Sequence, residues 1–182
     1  MIIGVTGKKF HGKNTVADFY VKNHNFKELS FAEPLKKVCK AMFDFSDEQL
    51  YGNLKETIDE RWGITPRTTF QFVGTDLVRN KIYNILPDIG ENFWVKRFEM
   101  ELSQLLVNEQ SRNIIISDVR FPNEAEIIKK LGGIIIKVVR PDIKNNDLHT
   151  SENLIDEISA DYNIINDGSI DDLYCKLIEL KI

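Results

Sequence analysis

Met1-Ile2-Ile3-Gly4-Val5-Thr6-Gly7-Lys8-Lys9-Phe10-His11-Gly12-Lys13-Asn14-Thr15 decides the fold, because an apolar run passes through a glycine-framed loop into Val16-Ala17-Asp18-Phe19. That order reads as strand, phosphate loop, helix. Gly7 and Gly12 frame a G-x-x-x-x-G-K pattern. Its glycines let backbone N–H groups turn inward on phosphate oxygens, while Lys13 reaches the β- and γ-phosphates. A helix starting near Lys13 adds its positive dipole end. The hydroxyl usually found directly after the lysine is replaced by Asn14 and arrives one place later at Thr15, the candidate metal-side ligand. A Gly/Lys-rich turn that only caps a helix is the bland alternative. The flanking apolar run, and Val16, Phe19 and Tyr20 on one side of the next stretch, favour the phosphate loop.

The chain has 182 residues, 42% hydrophobic and 29% charged, enough for one domain (1–182) with a sizeable core. Its net charge of −4 argues against a protein that grips nucleic-acid backbones, so cations that bind phosphate must be local. No apolar segment approaches the roughly 20 residues of a membrane span, and the first apolar run ends in a phosphate loop rather than a cleavage site. The expectation is a cytoplasmic protein with no membrane partner. Cys39 and Cys175 lie far apart in helical patterns, form no C-x-x-C pair, and read as core or partly buried thiols.

Short β-like runs alternate with helical ones: Phe26 to Ser30 then Glu33 to Phe43, Asn113 to Ser117 then Asn123 to Leu131, Gly133 to Val139, and Tyr162 to Ile165 then Ile170 to Leu180. Alternation predicts an α/β fold. Ile114-Ile115-Ile116 and Ile134-Ile135-Ile136 are apolar on both faces, as strands of a covered parallel sheet must be. Between about residues 44 and 110 the pattern is helical, with Thr68 to Tyr83 and Glu91 to Asn108 as its longest stretches. This block is expected as an insertion leaning over the carboxyl edge of the sheet, where ligands of open α/β sheets bind.

Polar clusters follow the apolar runs. Ser117-Asp118-Val119-Arg120-Phe121-Pro122-Asn123-Glu124 places Asp118 like an acid for magnesium or an attacking group, and Arg120 like a phosphate or ribose contact. Alternatively, Asp118 or Asn123 caps the next helix and Arg120 pairs with Glu124. Arg140, in Val139-Arg140-Pro141, is either a contact to transferring phosphate or an exposed strand-end charge. Asp142 to Leu148 is polar and aperiodic, like a lid over about residues 141 to 150. In His149-Thr150-Ser151-Glu152, Ser151 or Thr150 suits a helix N-cap, and His149 has no nucleophile beside it to suggest a triad. A turn followed by an N-cap accounts for Asn166-Asp167-Gly168-Ser169.

Taken in order, these segments resemble the bacteriophage-type deoxynucleoside monophosphate kinases, relatives of adenylate kinase and dephospho-coenzyme A kinase. The resemblance runs through Gly7 to Phe19, Glu33-Pro34-Leu35-Lys36, Gly74-Thr75-Asp76, Asn92-Phe93-Trp94-Val95, Asp118-Val119-Arg120, Val139-Arg140-Pro141, His149 to Glu152 and Asn166 to Ser169. It implies a P-loop three-layer α/β/α fold with a mainly parallel sheet and a helical insertion for the acceptor nucleotide. It also implies that Gly7, Gly12, Lys13, Asn14 and Thr15 hold ATP phosphates and that the loop of Asn166 and Gly168 packs along adenine. Lys9, Leu35, Lys36, Arg67, Gly74, Thr75, Trp94, Asp118, Arg120, Glu124, Ser151 and Glu152 match positions around the monophosphate, with Arg61 a looser match. Phe72 and Phe93 are further aromatics of the helical block, either core or base pocket. The chain departs from the family in a shorter insertion, in Asn14 where aspartate is usual, and in Phe121-Pro122 after Arg120.

The expected activity is Mg²⁺-dependent transfer of the γ-phosphate of ATP to a deoxynucleoside 5′-monophosphate, with Lys13, Asp118, Arg120 and Arg140 as catalytic candidates. A homodimer stays open. The alternatives are another small-molecule kinase of this superfamily, such as a dephospho-coenzyme A or phosphomevalonate kinase, and a nucleotide-binding regulatory module without turnover.

Overall fold

Strands apolar on both faces need cover on both, and the computed structural model supplies it with helices. It describes residues 1–108, 113–143 and 150–182, with the side chains of 108, 150 and 151 outside that description. The expected lid from Asp142 and the candidate His149 fall mainly in 144–149, outside the described residues. The strands β1 (Ile2–Thr6), β2 (Lys27–Leu29), β3 (Ile114–Val119), β4 (Ile134–Val139) and β5 (Tyr162–Ile165) form one parallel sheet in the order β2-β3-β1-β4-β5. The strand that feeds the phosphate loop is central. On one face, Ile3, Val5, Ile115, Ile136, Val138 and Ile164 pack against Val16, Ala17, Phe19 and Tyr20 of α1 (Lys13–His24) and Leu173 and Leu177 of α8 (Ile170–Glu179). On the other, Gly4 faces Ile128 of α6 (Pro122–Lys130), Ile135 and Val119. This is the P-loop three-layer α/β/α arrangement.

The chain divides into two compact units, Met1–Ser30 with Glu99–Ile182, and Phe31–Phe98. The second holds α2 (Glu33–Phe43), α3 (Asp47–Leu50), α4 (Pro66–Gln71) and the start of α5 (Phe93–Asn108). Its core is Leu35, Cys39, Phe45, Leu50, Val73 and Trp94. Caps mark its helix starts: Ser46 and Gln49 form a reciprocal capping box on α3, and the Thr65 hydroxyl accepts from Thr68 N ahead of Pro66.

Three expectations are corrected or refined. The β3 ladder runs on through Ser117 and Asp118 to Val119, because a register shift opposite Gly4–Thr6 fits an extra residue while pairing continues. The stretch expected as helical over Thr68 to Tyr83 is helical throughout but not one α-helix: it is α to Gln71, π over Phe72–Arg79 and 3₁₀ over Ile82–Asn84. Cys175 is exposed, on the outer side of α8, whereas Cys39 is buried and its thiol is pushed up to about 11 by burial.

The close approach at Gly4 gives a direct test. A Cβ there meets Ile135 Cδ1 at 2.7 Å and Ile128 Cδ1 at 2.8 Å inside a packed layer. Gly4→Val is expected to cost about 1–3 kcal/mol of stability in chemical denaturation, the usual range for overpacking.

Candidate active site

The phosphate loop is wound tightly at the carboxyl end of β1. Gly7 (φ 146°) lies so close to β4 that a Cβ there would sit 2.4 Å from the Val138 carbonyl oxygen. Phe10 (φ 65°) and Gly12 (φ 104°) take left-handed conformations that reverse the chain before α1, the first a strained choice for a side chain of that size. Lys13 enters α1 only 9% exposed, and its Nζ donates to the carbonyls of Gly7 (2.7 Å) and Lys8 (2.9 Å). The ammonium therefore sits inside the loop, held by neutral acceptors that a phosphate oxygen can replace. Thr15 is half-buried in the first turn of α1, and Asn14 is exposed. Asn166, at the end of β5, donates from Nδ2 to His11 O at 2.9 Å. Gly168 lies in the exposed turn that follows, next to the Ser169–Asp172 capping box of α8.

The polar run after Ile116 is resolved residue by residue. Asp118, half-buried, accepts from Ser30 Oγ at 2.7 Å. Arg120 pairs through Nη1 with Glu152, which is 1% exposed, and the other Glu152 oxygen accepts from Lys9 N at 3.1 Å. One carboxylate thus joins the phosphate loop to the arginine beyond β3. Neither Asp118 nor Asn123 caps α6. Buried Glu124 reaches back to accept from Arg120 N (2.9 Å) and Phe121 N (3.2 Å), so it fixes the backbone that carries Arg120 and does not pair with its guanidinium. Asp156 binds Lys8 at 2.7 Å and Lys137 at 3.4 Å, and the Lys8 hydrogen bond holds its carboxyl below the usual carboxylate range. Arg140 is exposed at the end of β4. Lys8, Ser30 and Asp156 carried no motif signal, because their roles come from partners distant in sequence.

In the helical unit, Trp94 is buried and its Nε1 donates to Gly74 O at 2.8 Å. Gly74 has no room for a side chain, since a Cβ would lie 2.6 Å from Leu35 Cδ2. Leu35, Gly74 and Trp94 thus form one packed group, with Thr75 buried in the same π-helical stretch. Lys36 lies over the Tyr51 ring, 4.5 Å from its centroid. Half-buried Arg67 approaches Glu56 at 3.7 Å. Arg79, absent from the sequence-derived set, is buried and donates from Nη1 to Glu91 O at 3.2 Å. Phe72 is exposed and Phe93 half-buried. Arg61 donates to Asp59 from N, Nε and Nη2 and to Asp44 from Nη1 and Nη2, which makes it a fold-stabilising residue.

The donor set fits magnesium, which takes one or two protein oxygens and leaves its other positions to water and substrate phosphates. The Thr15 hydroxyl stands two residues after Lys13, and the Asp118 carboxylate one residue before Val119, the β3 partner of Thr6.

The profile of the deoxynucleotide monophosphate kinases matches residues 40–177. A protein of Acanthamoeba polyphaga mimivirus assigned as a deoxynucleotide monophosphate kinase is 43% identical over 182 residues, 98% of this chain and 94% of its own. The chain belongs to the deoxynucleotide monophosphate kinase family. As a member it is a nucleotide kinase, and so a phosphotransferase. The deoxynucleotide monophosphate kinase of Enterobacteria phage T4 is 28% identical over 152 residues, covering 78% of this chain and 59% of the phage protein. Among solved structures, TT1252 from Thermus thermophilus aligns over 100% of this chain and 96% of its own at 18% identity and a TM-score of 0.50, a likeness of fold alone.

The Asp59 network predicts a pH dependence. Hydrogen bonds from Arg61 and then Gln49 hold the Asp59 carboxyl well below its usual range. A depressed carboxyl stabilises the fold above its unfolded value, about 4, and that contribution is lost as pH falls from there. Asp59→Asn is expected to lower Tm at pH 7 and to flatten the dependence of Tm on pH below 4, with Michaelis constants unchanged.

Proposed function

We propose that this chain transfers the γ-phosphate of ATP to a deoxynucleoside 5′-monophosphate, giving ADP and the deoxynucleoside diphosphate. The observation that carries the reading is a phosphate loop with its lysine buried at the head of α1, in a member of this family. Loop N–H groups from Gly7 to Thr15 cradle the β- and γ-phosphates, with Asn14 at the exposed edge. Lys13 gives up the Gly7 and Lys8 carbonyls for phosphate oxygens and neutralises charge on the moving group. Thr15 and Asp118 would hold magnesium, which would supply further neutralisation of the phosphate charge. An oxygen of the acceptor monophosphate attacks the γ-phosphorus as its bond to the β-bridging oxygen breaks, so the protein's work is alignment and charge.

To the acceptor we assign Lys9, Asp118, Arg120, Glu124, Ser151 and Glu152 of the sheet unit and Leu35, Lys36, Arg67, Gly74, Thr75 and Trp94 of the helical unit. The support is their match to family positions. In the sheet unit there is also a physical link, since Glu152 holds Arg120 and Lys9 N together. Arg140 is assigned to the transferring phosphate, and Asn166 with Gly168 to the adenine side. No helix among the described residues is long and apolar enough to cross a membrane. A cytoplasmic enzyme acting on free nucleotides rather than nucleic-acid polymers agrees with that and with the acidic charge.

ADP release measured with each deoxynucleoside monophosphate, with dephospho-coenzyme A and with no acceptor tests the reading. Turnover with a deoxynucleoside monophosphate is expected; turnover only with dephospho-coenzyme A, or ATP binding without any turnover, overturns it. Lys13→Ala should lower kcat by about 10²-fold or more while leaving the fold intact. Thr15→Val should lose turnover that extra Mg²⁺ partly restores, and Asn14→Ser should be tolerated. A guanidinium grips a phosphate dianion with two parallel bonds and an ammonium does not. Arg67→Lys and Arg120→Lys should therefore raise KM for the monophosphate or lower kcat, with KM for ATP little changed.

A further inference from the structure

His11 is an unusual group to find inside a phosphate loop. It is 6% exposed, its Nδ1 lies 3.3 Å from the Val138 carbonyl, and its Nε2 is buried with no hydrogen-bond partner. A carbonyl oxygen only accepts, so Nδ1 carries the proton and Nε2 is the bare nitrogen. The Val138 oxygen is also the atom against which Gly7 closes, so the loop touches one point of β4 at its first residue and again four residues later. The backbone of His11 is held independently by Asn166 Nδ2 on its carbonyl, and Asn166 N is bonded to Val139 O at 2.8 Å. A Cβ on Gly12 would meet Asn166 Nδ2 at 2.7 Å, so the loop is packed against this strap with no slack.

We propose that His11 is a positioning residue whose neutral imidazole ties the phosphate loop to the end of β4 and, with Asn166 at the end of β5, holds the loop in the shape that binds ATP phosphates. Neutrality is part of the design. Burial lowers the affinity of the ring for a second proton below its ordinary value, Lys13 and Lys8 lower it further, and only the Val138 bond and Glu152 oppose them. A proton on Nε2 would bury an unpartnered charge beside two lysines. A second proton would leave the Nδ1–H bond to Val138 in place but bury a charge that no partner of Nε2 receives, so the packed loop favours the neutral ring.

The proposal rests on the kinase reading for its kinetic arm only; its structural arms need no nucleotide. His11→Asn keeps an N–H donor at the Nδ1 position and does not titrate, whereas His11→Leu keeps bulk and loses the donor. Amide exchange over residues 8–13 of the free protein should quicken about 5- to 10-fold in His11→Leu and stay within about twofold of the parent in His11→Asn. KM for ATP should follow the same order, with KM for the monophosphate within about twofold in both. Loop exchange and KM for ATP unchanged in His11→Leu, or equal impairment of the two variants, overturns the proposal. If His11→Leu does not fold, nitrogen chemical shifts of the parent ring decide: a proton on Nδ1 at pH 7 supports the tie and a proton on Nε2 overturns it. A parent protein that turns over no nucleotide removes the kinase reading, and the exchange arm still judges His11.

Discussion

The parallel seating of β1 between β3 and β4 is the constraint on which the site depends. It brings the carboxyl ends of three strands to one edge, where the phosphate loop leaves β1, β3 ends in Asp118-Val119 ahead of Arg120, and the Val138 carbonyl lies one residue before the end of β4. The loop has little freedom in how it turns there. A side chain at position 7 would collide with Val138 O and one at position 12 with Asn166, so two glycines are required by neighbours as much as by their own dihedrals.

An acidic chain that handles phosphates must keep its cations in place with groups a ligand can outcompete. Lys13 rests on two backbone carbonyls, Arg120 on Glu152 and Lys8 on Asp156. These contacts hold long, flexible side chains near useful positions and lower the entropy lost on binding. They also link elements: Glu152 joins α7 (Thr150–Asn153) to the loop and to β3, and Asp156 joins the following turn to the loop and to β4. In the helical unit the polar groups serve packing first. The Trp94–Gly74 bond satisfies buried groups that would otherwise cost about 1–3 kcal/mol, and the Arg61–Asp59 network gives the Asp59 carboxylate its partners.

Much of this was legible in the chain. Apolar periodicity located β4, β5, α2 and α6 to within a residue or so at each end, because buried strands and amphipathic helices must show their faces in sequence. The loop was legible because glycine spacing and a lysine before a helix are local requirements. The π-helical stretch was not: its first residues pack under Leu35 and Trp94, and no period of 3.6 registers that contact. The extension of β3 to Val119 was hidden for a similar reason, since the bulge exists only opposite Gly4–Thr6.

The sequence by itself determined the alternation of strands and helices and the phosphate loop, which follow from residue type at short spacing, and it pointed to the family by resemblance along nearly the whole chain. Tertiary structure alone decided the partners. The Arg120 guanidinium meets Glu152 while its backbone N–H meets Glu124, Asp118 meets Ser30, and His11 meets Val138. Hydrogen bonds and ion pairs depend on distances of a few ångströms between residues that lie tens of positions apart, and only the closed sheet sets those distances.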